Sequence, residues 1–180
     1  MTTDRPPDLP DGFAEFVAAR SSALLRTAVL LTGDRGGAED LVQETLARAW
    51  AAWPRIRRQD RVEAYVRATM ANLATSWWRR RWRGETPTAA LPDVEAGGSD
   101  PGTQVVVRQS VLAALATLPP GQRAVVVLRF VEDLTEAQTA AALGCSVGTV
   151  KSQAARATAR LRSHPGLAEV VAGVDTGGAR

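Results

Sequence analysis

Thr149, Lys151, Ser152, Gln153 and Arg156 stand close together near the end of the chain, and all of them carry hydrogen-bond donors on side chains long or mobile enough to reach outward. Hydroxyl, amide, ammonium and guanidinium groups in such a row suit base edges and phosphate oxygens. Just before this row, Gly144 stands where a helix end needs a left-handed residue, and Ser146 where a hydroxyl can cap the next helix. Ser146 therefore joins the candidate DNA-binding set.

A second constellation lies earlier. Between Arg55 and Arg83, nine Arg face only Asp60 and Glu63, a local excess of +7 in a chain whose formal net charge is +3. The Trp residues at 50, 53, 77, 78 and 82 lie in or beside that stretch. Cations interleaved with large rings suit single-stranded nucleic acid, with charge along the phosphates and ring faces under unstacked bases. Cations at a helix C-terminus are stabilising in their own right, which accounts for one or two of these charges only. Trp78 follows Trp77 by about 100° around a helix, so the two cannot be equally buried. Trp78 either packs on the preceding loop or meets a ligand. A third set, Asp40, Gln43, Glu44 and Arg48, recurs at helical steps away from an apolar stripe. It reads equally as a solvated face or as a dock for a basic helix.

These sets need elements to position them. Leu134, Ala137, Ala140, Ala141 and Leu143 recur at three- and four-residue steps, and Val147, Val150, Ala154, Ala157 and Leu161 do so after the turn. Residues 134–162 thus read as a helix-turn-helix whose second helix presents the donor row. A plain helical hairpin would share the stripes, but turn, cap and outward donors agree on DNA. Upstream, Phe13, Phe16, Val17, Leu24, Leu25, Ala28 and Leu31 mark one helix. Leu41, Val42, Thr45, Leu46, Ala49, Trp50 and Trp53 mark a second, entered after a Gly33 to Gly37 break, with Glu39 and Asp40 in its first turn and Pro54 closing it. Val62, Val66, Met70, Leu73 and Trp77 mark a third, with Asp60 and Glu63 as a capping pair. Residues 105–118 and 123–131 read as further helices, punctuated by Pro119 and Pro120. No period-two run competes, and the expected fold class is all-α.

Residues 84–104 change character, with Pro87, Pro92, Pro101, several Gly, the acids Glu85, Asp93, Glu95 and Asp100, and no basic residue. They read as a flexible linker. The expected organisation is a disordered 1–11, a helical domain over 12–83, the linker, a second helical domain over 105–165, and a tail over 166–180. A hydrophobic fraction of 45% suffices for a core in each domain. No disulfide framework, metal site or cofactor site is expected from one Cys and one His, and Cys145 reads as a small buried residue. No apolar run approaches a membrane span and the N-terminus lacks a signal pattern, so a cytoplasmic protein with no membrane insertion is expected.

With these motifs in hand, the chain resembles the extracytoplasmic-function sigma factors of bacterial RNA polymerase, in their actinobacterial SigE-like subgroup. GDRGGAEDLVQETLARAW resembles region 2.2, which implies that Asp40, Gln43, Glu44 and Arg48 contact the beta-prime clamp helices of core polymerase. RVEAYVRATMANLATSWWRRRWRGE resembles regions 2.3 and 2.4, which open and read the minus-ten element. By that resemblance residues 55–61, with Arg55, Arg57, Arg58 and Arg61, form a specificity loop around a flipped non-template base. Asn72 and Ser76 match positions facing the same strand, and Trp78, Arg79, Arg80, Arg81 and Arg83 fall in the same segment. LPPGQRAVVVLRFVEDLTEAQTAAALGCSVGTVKSQAARATARLR resembles region 4, whose last helix reads the minus-thirty-five element. Ser76 and Gln153 differ from residues common in the wider group, while TSWWRRR and VKSQ are forms typical of the subgroup.

The resemblance implies a non-enzymatic specificity subunit that partners core polymerase, including its beta flap, with promoter DNA, and with an anti-sigma factor in many members. The alternative is a stand-alone helix-turn-helix transcriptional regulator, which would pair the same motif with a ligand domain. No pocket-forming α/β pattern precedes residue 84, which disfavours that alternative and also a recombinase.

Overall fold

The computed structural model describes residues 10–58, 61–81 and 101–167, and every regular element among them is helical. Three long helices, α1 (Phe13–Thr32), α2 (Arg35–Arg58) and α3 (Val62–Arg81), form the N-terminal group. α4 (Pro101–Ala116), α5 (Pro120–Val126), a wider π-helical continuation over Val127–Val131, α6 (Glu136–Leu143) and α7 (Val147–Arg162) form the C-terminal group.

Gly33 ends α1 in a left-handed conformation at φ 92°, which a residue with a Cβ adopts only under strain. α2 begins immediately afterwards, because the Asp34 carboxylate accepts from the Gly37 N–H at 2.6 Å and caps the new helix. Gly36 and Gly37 are thereby helical, and the expected break shrinks to Gly33 and Asp34. Glu39 and Asp40 move out of the first turn as a result, and Glu39 accepts from Arg35 at 2.8 Å instead. Pro54 does not close α2. The helix runs on to Arg58, with Pro54 exposed in its penultimate turn. A proline this near the end forfeits one backbone bond, and the tertiary packing of Trp53 and Ile56 on either side outweighs that loss.

Phe13 meets Trp53 edge to face at 4.9 Å and Trp50 at 5.4 Å, and these rings join Ala49, Ile56 and Val66 in one buried cluster. Such ring pairs add about 0.5–1.5 kcal/mol each beyond their burial. The Trp53 indole N–H donates to the Asp11 carbonyl at 3.0 Å, so this ring belongs to the core. On α3, Val66, Met70 and Leu73 are buried as their spacing requires. The expected Asp60 half of its capping pair lies outside the described residues. Glu63 instead pairs with Arg67 at 3.1 Å and with Arg20.

In the C-terminal group helical backbone begins at Pro101, inside the stretch read as linker. Leu115, Leu118 and Val126 close on Ala157, while Val125, Ala140 and Val150 hold the helix-turn-helix together with half-buried Cys145. The first stripe of that motif is corrected: Ala137 and Ala141 are exposed, and α6 turns Thr139 and Ala140 inward. With small residues all round, α6 carries too little contrast for spacing to identify its buried face. Val147, read as apolar stripe, is 39% exposed.

The two groups do not sit apart. Ala28, Val29, Leu31, Ala38, Leu41, Met70, Leu73 and Ala74 share one core cluster with Leu112, Ala124 and Val127. α6 lies along α3, and α5 packs on both α1 and α3.

Candidate nucleic-acid interface

α6 starts with a reciprocal capping box: Thr135 Oγ1 accepts from Gln138 N–H at 3.2 Å, and Gln138 Oε1 accepts from Thr135 N–H at 2.8 Å. Gly144 ends it at φ 62°, and Ser146 opens α7 by accepting from Thr149 N–H at 3.1 Å. Both termini of the turn are satisfied locally, so the angle between α6 and α7 is set by short-range chemistry. Val150 and Ala157 point inward at 0% exposure, which turns the opposite face of α7 to solvent.

Ser146, Thr149, Lys151, Ser152 and Arg156 are all exposed. Lys151 is within 3.6 Å of Glu136 on α6, a surface pair that leaves the ammonium available. Gln153 departs from the expectation. It is half-buried and folds back on α5, with its Oε1 3.1 Å from where a Gly121 Cβ would stand. Gly121 therefore has a spatial role that its sequence context did not reveal: it makes room for Gln153. Arg160, absent from the expected set, is exposed one helical turn beyond Arg156. It extends the 149, 152 and 156 spacing by one step.

The basic cluster of the N-terminal group divides. Arg55, Arg57 and Arg58 are exposed on the last turn of α2, and Arg61 is exposed immediately before α3. They are helical or helix-flanking where a loop was expected, with residues 59 and 60 outside the described set. Cations there also complement the negative end of the α2 dipole. Arg57 donates one bond to the Asp11 carbonyl at 2.8 Å, and Arg58 Nε donates to Pro54 O at 2.8 Å. Arg55 and Arg58 share an open groove with Arg48, Ala51, Ala52, Pro54 and Tyr65. Tyr65 is an aromatic wall that the sequence reading passed over, because its position falls beside the apolar stripe.

Asn72 is exposed, and its amide nitrogen donates to the Ala142 carbonyl at 2.8 Å; Ser76 is half-buried one turn on. Trp78, Arg79, Arg80 and Arg81 lie on the final turn of α3, while Arg83 is outside the described residues. On α2, Asp40, Gln43 and Arg48 are exposed and Glu44 is half-buried, with Arg48 donating to Glu44 at 2.6 Å. This face is polar and free of the core clusters. No grouping of His, Cys, Asp and Glu suited to a metal ion occurs among the described residues.

Among the described residues, Arg123 carries the one clear electrostatic perturbation. Its guanidinium is buried, and loss of hydration lowers its pKa to about 10. It stays protonated at neutral pH, donating to Leu115 O at 2.8 Å and across the domains to Leu31 O at 3.2 Å.

Comparison with known proteins agrees with this architecture. Residues 16–84 match the family model described as sigma-70 region 2, and residues 108–161 match that described as sigma-70, region 4. The chain is 45% identical over 152 residues to the RNA polymerase sigma-E factor of Streptomyces coelicolor, covering 84% of this chain and 85% of that one. It is also 45% identical to the RNA polymerase sigma-E factor of Streptomyces antibioticus, over 84% of this chain and 83% of that one. Among solved structures it resembles the sigma factor RpoE of Bartonella quintana, crystallised with the anti-sigma factor NepR. That match has a TM-score of 0.70 and 28% identity, over 85% of this chain and 96% of the other.

Proposed function

The chain belongs to the sigma-70 family of RNA polymerase sigma factors, in its extracytoplasmic-function, SigE-like group, and from that premise we propose how its residues divide the work of promoter selection. A sigma factor of this group directs core polymerase to start transcription at particular promoters. The finer reading is that the protein is a dissociable specificity subunit without catalysis of its own. It acts in the cytoplasm and joins the nucleoid when bound to polymerase.

The region 4 helix α7 enters the major groove at the minus-thirty-five element, with Thr149, Lys151, Ser152 and Arg156 as its contacts and Arg160 extending the phosphate face. Region 2 holds the unwound non-template strand. Arg55 and Arg58 border the groove in which an extruded base is held, Arg57 and Arg61 add phosphate contacts beside it, Asn72 and Ser76 face the strand, and Trp78, Arg79, Arg80, Arg81 and Arg83 continue along it. Unstacking a base costs a few kcal/mol, which stacking and phosphate contacts offset. Asp40, Gln43, Glu44 and Arg48 dock on the beta-prime clamp helices, and region 4 meets the beta flap. An anti-sigma factor is a further expected partner, as the RpoE relative is held by one. The domain limits proposed for this division are 12–83 and 105–165, the second preceded by helical backbone from Pro101.

The observation that carries the reading is a capped, locally complete helix-turn-helix whose outer face is a row of exposed donors. Two weak DNA contacts on one tethered chain act at high effective concentration, so neither has to be strong alone. The test is a reconstituted run-off assay. Purified chain added to core polymerase should produce discrete transcripts from promoters mapped by its overexpression, and absence of discrete starts with fully active polymerase overturns the reading.

A further inference from the structure

We propose that Gly121 on α5 is a specificity-positioning residue for the minus-thirty-five element. The space it leaves lets the Gln153 amide lie back against α5, so α7 reads duplex DNA without the one amide in its outer row. This role rests on the sigma-factor reading of α7 given above and adds a determinant of which bases that helix can prefer.

Gln153 stands on a border of α7. About 40° around the helix to one side is Thr149, which is exposed, and about 40° to the other is Ala157, which is buried. These neighbours lie four residues before and four after it, so spacing alone lets the side chain turn either way. Its neighbour on α5 decides. Gly121 has no side chain, and the Gln153 amide occupies the volume beside it: Oε1, Nε2 and Cδ would stand 3.1, 3.4 and 3.6 Å from a Cβ there. Gln153 is half-buried in that position, whereas Thr149, Ser152 and Arg156 around it are exposed.

The withdrawal matters because these side chains differ in what they can read. An amide offers a donor and an acceptor in one plane, which matches N6 and N7 of adenine in the major groove. Hydroxyls serve any base edge, and those present are already engaged locally: Ser152 Oγ donates to Thr149 O at 3.0 Å, and Thr149 Oγ1 shares a hydrogen bond with Ser146 Oγ at 2.9 Å. Lys151 and Arg156 supply cations, which suit phosphate or guanine. With Gln153 held back, the face lacks a bidentate partner for adenine.

The atoms beside Gly121 are the far end of a flexible side chain, so a larger residue at 121 is met by movement of the amide and not of a backbone. Gly121 has ordinary helical backbone within α5, unlike Gly33 and Gly144, so φ does not oppose its substitution.

Selection from a promoter library tests this role. Core polymerase loaded with the full chain transcribes duplex templates randomised across the minus-thirty-five element, and the transcribed templates are sequenced. Gly121→Leu should enrich adenine at one position about tenfold over wild type, the scale of one bidentate pair. Gly121→Ala should shift the same position in the same direction by a smaller factor. Gln153→Ala should leave the wild-type preferences unchanged, and Gly121→Leu with Gln153→Ala should return to them. Melts followed by circular dichroism check folding, and if leucine at 121 unfolds the chain, the alanine variant, which also favours helix, decides. Folded Gly121 variants that keep the wild-type preferences overturn the role. So does an adenine preference that survives Gln153→Ala, or a wild-type preference that Gln153→Ala removes. A wild-type chain that selects no template at all overturns the sigma-factor reading, and this role falls with it.

Discussion

Arg123 on α5 reaches out of its own domain to the carbonyl of Leu31, the last buried residue of α1, at 3.2 Å. A buried guanidinium is tolerated there because the end of α1 offers unpaired carbonyls of matching polarity.

Replacing Arg123 by Ala leaves the Leu115, Leu31 and Thr32 carbonyls without this donor and opens a cavity in a residue site that is only 2% exposed. The expected loss is about 3 kcal/mol, or roughly 6–12 °C in the melting temperature of a chain this size. Burial lowers the Arg123 pKa from the ordinary guanidinium range to about 10, so folded and unfolded forms are both charged below that pH. The charge is then desolvated at constant cost, which is relieved only as pH rises through about 10 toward the ordinary guanidinium range. The difference between wild type and Arg123→Ala should accordingly stay flat in melts from about pH 6 to about pH 9.

Ser146→Ala removes the acceptor for the Thr149 N–H and should destabilise the C-terminal group by about 1 kcal/mol, while Ser146→Asp keeps it. Thermal unfolding followed by circular dichroism separates the two. Gly144→Ala should also lower stability by about 1 kcal/mol, purely through backbone strain at φ 62°, since nothing lies within 4 Å of its added Cβ.

Arg156→Ala should leave the fold intact and weaken duplex binding across sequences, lowering the slope of log affinity against log salt by ~0.9 for a lost phosphate contact. Fluorescence anisotropy over a salt series measures it. An unchanged slope removes Arg156 from the phosphate set.

Gln43→Ala with Glu44→Ala should reduce capture by core polymerase without shifting the melting temperature by more than about 1 °C, because one side chain is exposed and the other joins only a surface pair. Undiminished co-purification would remove this face from the polymerase contacts.

Trp53→Ala and Arg58→Ala should separate core from interface. The Trp53 ring is 3% exposed, and its loss should cost about 3–5 kcal/mol. Arg58 is exposed at the groove beside Tyr65, so its loss should leave unfolding unchanged and weaken transcription from promoters with an intact minus-thirty-five element.

Much of this was legible in order along the chain. The α3 stripe of Val66, Met70 and Leu73, the Gly144 turn and the Ser146 cap all follow from interactions within one or two helical turns. The exposed donors of α7 follow from the same spacing. Where local signals conflicted, the reading slipped: Pro54 suggested an end that packing overrode, and Gly36 and Gly37 suggested a break that the Asp34 cap closed. Gln153 is half-buried beside Gly121 and Arg160 is exposed, a difference that spacing leaves open because a helix face has no sharp edge until its neighbour is known.

Helices, their caps and the chemistry of their outer faces were determined by the sequence alone, because hydrogen bonds and side-chain spacing within a helix act between residues a few positions apart. Which face met which was decided only in three dimensions. Asn72 against Ala142, Arg67 against Glu132 and Arg123 against Leu31 join residues 65 to 92 positions apart. No local pattern selects such partners. They emerge when two apolar groups of helices find a larger shared core together than either buries alone, and the polar groups at its edge take the partners that this packing brings within reach.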